Sequence, residues 1–248
     1  MNLLSTNYMD HVNAKYCIDN CFFDKYFFNP LSDLIMNNLR SLNITPNQVT
    51  YLSTLSTIIS FYFYLKNIIY LSVPIYIFGY YLDCVDGRYA RKYKLTSCYG
   101  MMIDQVSDVL TNIPYLFVMC IRCIYNLQII KMILIIIVTK TFTLSFSFEE
   151  SYSNIIKNDN DNFYLTKKKI LDDEEYNHLS GFYLLPLYLI FNYINYYNYN
   201  EYKKYYNYSM NLSNEPFDKI SFLKSSILKL KEFGPGNYCI FMAIMMLY

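Results

Sequence analysis

The sequence predicts an all-α protein: a multi-pass transmembrane helical bundle of about six helices, with an N-terminal amphipathic helix lying in the membrane interface. Three observations carry this. Of 248 residues, 54% are hydrophobic and only 17% charged, where soluble domains carry about 25% charged residues. Several long apolar runs are continuous rather than alternating, and lipid admits only helices or closed barrels. Within two of those runs sit carboxylates, which are costly in lipid and usually face a bundle interior.

Met1 to Asn29 lacks a charged start followed by an apolar core, so it reads as a cytosolic segment rather than a signal peptide. The membrane domain then occupies 30–248. From Pro30 to Asn43, Leu31, Leu34, Ile35, Leu39 and Leu42 fall on one side at helical spacing, with Ser32, Asp33, Asn37 and Arg40 on the other. That is the pattern of an interfacial helix. Thr45-Pro46-Asn47 is a helix-start signal, with Pro46 fixing φ. The spans expected next are Val49 to Leu65, Ile68 to Val85, Ile103 to Ile121, Leu127 to Phe148 and Leu179 to Tyr199. Asn237 to Tyr248 is apolar but short for a span. Gly87 to Tyr99 is expected as a charged loop, and Glu149 to His178, with its Lys167–Lys169 and Asp172–Glu175 runs, as a solvated one. Phe217 to Phe233 has the apolar spacing of a second interfacial helix.

The formal net charge is +1 and no basic stripe appears, so nothing suggests a nucleic-acid partner and none is expected. With 30 Tyr and no Trp, Tyr must supply any aromatic belt. Asn is so abundant that the glycosylation-type triplets at Asn43, Asn207 and Asn211 read as chance. Cys120-Ile121-Arg122-Cys123 is a lone pair of thiols. His11 and His178 are distant from it, so two small apolar residues of a helix are the better reading than zinc. The loop holding Arg88, Arg91, Lys92 and Lys94 outweighs the first opposite loop, with Lys66 alone, which puts the charged side in the cytosol.

The chemistry is concentrated between Tyr81 and Leu110. Asp83 and Asp86 are three apart, Asp104 and Asp108 four apart, so each pair shares a helix face. Four carboxylates on two successive helices repel one another unless cations sit among them. Oxygen ligands suit Mg²⁺ or Mn²⁺, and the absence of His and Cys among the four argues against zinc. Two such ions form a clamp for displacement at phosphorus. Gly87 lets backbone approach a ligand, Ala90 is small, Arg91 can fork onto a phosphate, and Gly100 permits close packing of the two helices. A non-catalytic membrane protein or a cation transporter would also use acidic helix pairs, but ion binding alone does not require these glycines and the arginine.

The pattern Asp83-x-x-Asp86-Gly87-x-x-Ala90-Arg91, eight residues, then Gly100-x-x-x-Asp104-x-x-x-Asp108 resembles the complete signature of the class I CDP-alcohol phosphatidyltransferases. Thr45 to Thr50 resembles the segment that opens that domain, and the likeness covers roughly residues 30–148. The resemblance implies six spans, often a homodimer, and a polar cavity open to the cytosol. It implies that Asp83, Asp86 and Asp104 hold one Mg²⁺ or Mn²⁺ ion and Asp83, Asp104 and Asp108 a second, with Asp108 as general base. Gly87, Ala90, Arg91, Asn47 and Thr50 would surround the cytidine diphosphate. The implied enzyme is a phosphotransferase of phospholipid biosynthesis, in an internal membrane of endoplasmic-reticulum type. It would move a substituted phosphate from CDP-diacylglycerol, CDP-choline or CDP-ethanolamine to an alcohol or diacylglycerol, releasing CMP. Val109 and Leu110 after Asp108, where a basic residue is common in the inositol and glycerophosphate branches, lean toward the choline/ethanolamine type.

Overall fold

The computed structural model describes residues 21–156, 184–190, 193, 230 and 233–247. Every element among them is helical. A π-helical turn, Asp24–Phe28, runs directly into α1, Asn29–Ser41. There follow α2, Pro46–Leu65; α3, Ile69–Lys92; α4, Cys98–Tyr125; α5, Ile129–Ile156; and α6, Pro235–Leu247.

The helix starts obey local chemistry. Thr45 and Gln48 form a reciprocal capping box ahead of α2, with Pro46 at its first position. Ser97 caps α4 by accepting from the Gly100 amide at 2.9 Å. Asn43 and Asn67 take positive φ, 55° and 60°, in the tight connections before α2 and α3.

On α2 the buried side is largely hydroxyl-bearing and the exposed side aliphatic. On α2, Ser53, Ser56, Thr57 and Ser60 are buried. Leu52, Leu55, Ile58, Ile59 and Leu65 are exposed on the same helix. The inward hydroxyls bond to the next helix: Ser53 Oγ donates to the Gly79 carbonyl at 2.8 Å, and Ser60 and Ser72 each donate to the other's carbonyl at 2.6 and 2.9 Å. Small polar residues holding two backbones together, with aliphatic side chains turned out, is the packing of helices in lipid. Gly79 belongs to this seam, since a Cβ there would lie 2.6 Å from Thr57 Oγ1. The central core gathers Tyr64, Tyr76, Tyr115, Met119, Tyr238 and Met242 from α2 to α4 and α6. Of the described helices, Cys98–Tyr125 is the one long and apolar enough by hydropathy to cross a membrane by itself. The Ser and Thr stripe of α2 and the charged end of α3 dilute those two helices.

Several expected boundaries move. The loop expected over Gly87 to Tyr99 is mostly helix: α3 continues to Lys92, α4 begins at Cys98, and only 93–97 connect them. The continuation is held by α1, whose Asp33 takes Arg88 at 2.8 Å and whose Asn37 accepts from Lys92 and Tyr93. Asp33 and Asn37 thus bond to the end of α3 while remaining exposed. Met36 is buried beside Leu82, Val85 and Tyr89, with Ile35 and Leu39 packed against them. Leu34 and Leu42 point away, 71% and 68% exposed. The loop expected from Glu149 is helical to Ile156, and its remainder lies outside the described residues. Of the fifth expected span, 184–190 and Tyr193 are described and helical, with Leu185 and Tyr188 buried against Tyr99, Met102, Ile103 and Val106. The expected helix Phe217 to Phe233 lies outside them except for Leu230 and Phe233. α6 is 13 residues long and buries Tyr238, Cys239 and Met242 in the core. Cys123 is buried and Cys120 half-buried, both free thiols on one helix.

Candidate metal and phosphate site

α2 packs against both α3 and α4, and α3 and α4 approach each other less closely. The space between α3 and α4 is where the acids meet. Asp83, Asp104 and Asp108 bring carboxylate oxygens within 4.8 Å of one another. Asp83 and Asp104 are half-buried, and Asp108 is exposed. Asp86, one turn further along α3, is outside this trio. It is 4% exposed and accepts a 2.5 Å hydrogen bond from Thr50 Oγ1 of α2. Three converging carboxylates with no imidazole or thiolate in the group fit a hard divalent cation.

The two glycines have different surroundings. Gly87 lies inside α3, and what covers it is the guanidinium of Arg91, whose Nη1 would be 3.2 Å from an added Cβ. A glycine here lets Arg91 lie back along its own helix. Gly100 packs not against α3 but against the start of α2: a Cβ there would sit 2.7 Å from Asn47 Oδ1 and 3.1 Å from Ser97 Oγ. Asn47, Thr50, Asp86 and Gly100 are thus linked across the first turns of α2 and α4 and the last third of α3. Arg91 is exposed at that end and Ala90 is half-buried.

Behind the trio lies a small cavity lined by Asp83, Asp108, Ser53, Thr54, Thr57, Tyr76, Tyr80, Ser107, Thr111 and Asn112. None of the eight residues besides the acids was singled out from the sequence. A signal existed for some. Tyr76, Tyr80 and Asp83 follow helical spacing, as do Asp108 and Asn112, so each set shares a face. The abundance of Tyr and Asn hid it.

Tyr80 leads to a further buried carboxylate. Its hydroxyl donates to Asp24 Oδ1 at 2.8 Å, while the Gly236 amide and the Cys21 thiol each reach Asp24 Oδ2 at 3.0 Å. The Phe23 amide donates to Asn237 Oδ1 at 3.1 Å. Asp24 thereby sits at the N-terminus of α6, where a negative charge is favoured, and fastens the segment before α1 to both α3 and α6. Burial, and then the Asp24 charge, push the Cys21 thiol up to about 12, so it stays protonated as a donor.

A helical bundle with a carboxylate trio between two of its helices presents an acidic site that could hold a metal ion. Residues 43–197 match the family described as CDP-alcohol phosphatidyltransferase, and the chain belongs to that family. It is 38% identical over 84 residues to the archaetidylinositol phosphate synthase of Pyrococcus horikoshii. That match covers 34% of this chain and 44% of the relative, so less than half of the relative's length is spanned. No solved structure matches.

Proposed function

We propose that this chain transfers a substituted phosphate from a CDP-activated alcohol to an acceptor hydroxyl, releasing CMP, with Asp83, Asp86, Asp104 and Asp108 holding two Mg²⁺ or Mn²⁺ ions. The observation that carries this is the meeting of Asp83, Asp104 and Asp108 within 4.8 Å. The bound cations would neutralise the diphosphate oxygens and the charge on departing CMP. The protein's own groups do the rest. Thr50 fixes the Asp86 carboxylate through its hydroxyl. Arg91 reaches the diphosphate from the exposed end of α3, as a planar fork suited to phosphate. Gly87, Ala90 and Asn47 border the cytidine diphosphate. Asp108, the exposed member of the trio, accepts the proton of the attacking hydroxyl. The reacting end of the bundle faces the cytosol from an internal membrane, in a domain that runs from residue 30 onward and pairs as a homodimer.

The relative's name favours a lipid-linked CDP donor with a head-group alcohol as acceptor, over the choline/ethanolamine arrangement that Val109 and Leu110 suggest. A donor panel decides. Purified protein with Mg²⁺ or Mn²⁺ is offered CDP-diacylglycerol, CDP-choline and CDP-ethanolamine, each with matching acceptors, and CMP is measured. CMP is expected from CDP-diacylglycerol. No CMP from any pairing would refute the enzyme reading in favour of a cation-binding membrane protein.

A further inference from the structure

Four short turns join the helices from α1 to α5, and each closes with the same backbone bond. The amides of Ile44, Ile68, Leu95 and Gln128 donate back to the carbonyls of Leu39, Phe63, Ala90 and Cys123, at 3.1, 2.9, 2.8 and 2.8 Å. That bond goes with a positive φ in the residue before the donor: Asn43, Asn67, Lys94 and Leu127, at 55°, 60°, 58° and 55°. Asparagine tolerates this backbone, whereas a bulky apolar residue is strained in it. Contacts within the chain do little to offset the strain at Leu127, because its side chain is 83% exposed. Its surroundings are of the same kind. From Cys123 to Ile130 there is no charged residue. Tyr125 is 87% exposed, with Ile124, Ile129 and Ile130 exposed beside it. Arg122, the cation just before this run, folds back on α2. It donates to the Tyr64 carbonyl at 2.8 Å, with its guanidinium 4.1 Å from the Tyr64 ring. The 66–68 turn at the same end of the bundle instead exposes Lys66 and Asn67.

We infer that the α4–α5 turn is a lipid anchor, lodged in the headgroup and acyl boundary of the leaflet opposite the acid site. The inference concerns the far end of the bundle and stands with or without phosphotransfer. The length of α4 sets the reach. At about 1.5 Å per residue, Tyr125 stands roughly 25 Å along the helix from Asp108, close to the ~30 Å thickness of a hydrocarbon core. The turn thus comes to the far interface. There the apolar tip leaves water and the strain at Leu127 is offset by its burial. Tyr125 keeps its ring in the boundary with its hydroxyl toward water. The tip is continuous with the exposed aliphatic sides of α4 and α5, where Phe117, Ile121, Ile133 and Ile137 lie, so one apolar medium covers both. A protein partner would call for a polar rim around such a patch, and Asn126 and Gln128 are the polar side chains this run offers.

The chain contains no Trp, so Tyr125→Trp and Phe117→Trp each install a single fluorophore. Each full-length variant is reconstituted in phosphatidylcholine vesicles, either with bromine on the acyl chains or with iodide on both sides of the membrane. The Tyr125→Trp probe is expected roughly 5–10 Å inside the headgroup boundary, quenched by the brominated lipid and shielded from iodide. Adding Leu127→Asn, which suits the same backbone, should move that probe toward water, with less quenching by lipid and more by iodide. The Phe117→Trp probe should be quenched by lipid and unmoved by Leu127→Asn, which shows that the bundle keeps its place. Ready iodide quenching of the Tyr125→Trp probe alone would overturn the anchor. Shielding from both quenchers would also overturn it, since protein rather than lipid would then cover the turn. A depth indifferent to Leu127→Asn would take the anchoring role from Leu127. A Phe117→Trp probe untouched by brominated lipid would remove the membrane setting of the bundle and the inference with it.

Discussion

Two regions of this bundle bury carboxylates, and they treat them in opposite ways. At Asp24 the chain supplies the partners: a phenol, a backbone amide at a helix start and a protonated thiol converge on one side chain. Between α3 and α4, three carboxylates converge on each other within 4.8 Å. Asp86 lies between these cases, buried with the Thr50 hydroxyl on it. The comparison teaches how to tell a structural acid from a functional one. A buried charge surrounded by donors holds elements together, whereas carboxylates gathered together need a charge from outside the chain. Asp24 accordingly ties the segment before α1 to α6, and the trio is the candidate cation site.

The sharpest way to break this contrast is to remove charge from each region in turn. Asp108→Asn should lower turnover by at least about 10³-fold, while Mn²⁺ binding measured by calorimetry largely survives. Normal turnover would strip Asp108 of its role as base. Asp24→Asn should behave in the reverse sense. It should lower the unfolding midpoint in detergent, with a loss of about 1–3 kcal/mol from mispaired donors, and leave Mn²⁺ affinity unchanged. A selective loss of Mn²⁺ binding would erase the distinction between the regions.

The glycines sharpen it further. Gly100→Ala drives a Cβ to 2.7 Å from Asn47 Oδ1 and 3.1 Å from Ser97 Oγ, so it should cost about 1–3 kcal/mol of stability and raise the KM for the CDP donor. Gly87→Ala meets only the flexible end of Arg91 at 3.2 Å. It should leave thermal stability within about 0.5 kcal/mol while weakening donor binding, read as KM. Equal thermal shifts in the two variants would contradict their assigned surroundings. The smallest effect is at Cys21. With its thiol pushed up to about 12, it should resist maleimide at pH 8 in folded protein and react on unfolding. Rapid labelling of the folded chain would mean the clasp is open.

The fold class and the acids were legible because each rests on spacing within one helix. Asp83 and Asp86, then Asp104 and Asp108, needed only helical periodicity and the rule that charge is costly in lipid. The start of α2 was equally local, fixed by Thr45, Pro46 and Gln48. What was not legible depends on partners far along the chain. The helix through Gly87 persists because α1 supplies Asp33 and Asn37 to its charged end. Gly100 serves Asn47, far back along the chain at the start of α2, rather than α3. Asp24 and Gly236 meet across 212 positions, and no local pattern announces such a pair. The cavity hydroxyls look in sequence like any Ser and Thr of a membrane helix, and only the packing of the helices brings them to one space.

The account turns on cations occupying the space between α3 and α4. Electron paramagnetic resonance of Mn²⁺ titrated into the purified protein with CDP-diacylglycerol tests that directly. Two ions bound per chain with the spin coupling of a close pair are predicted, with the coupled signal lost in Asp83→Asn and Asp104→Asn. A spectrum of unbound Mn²⁺ alone, or a bound signal indifferent to those two substitutions, would contradict it.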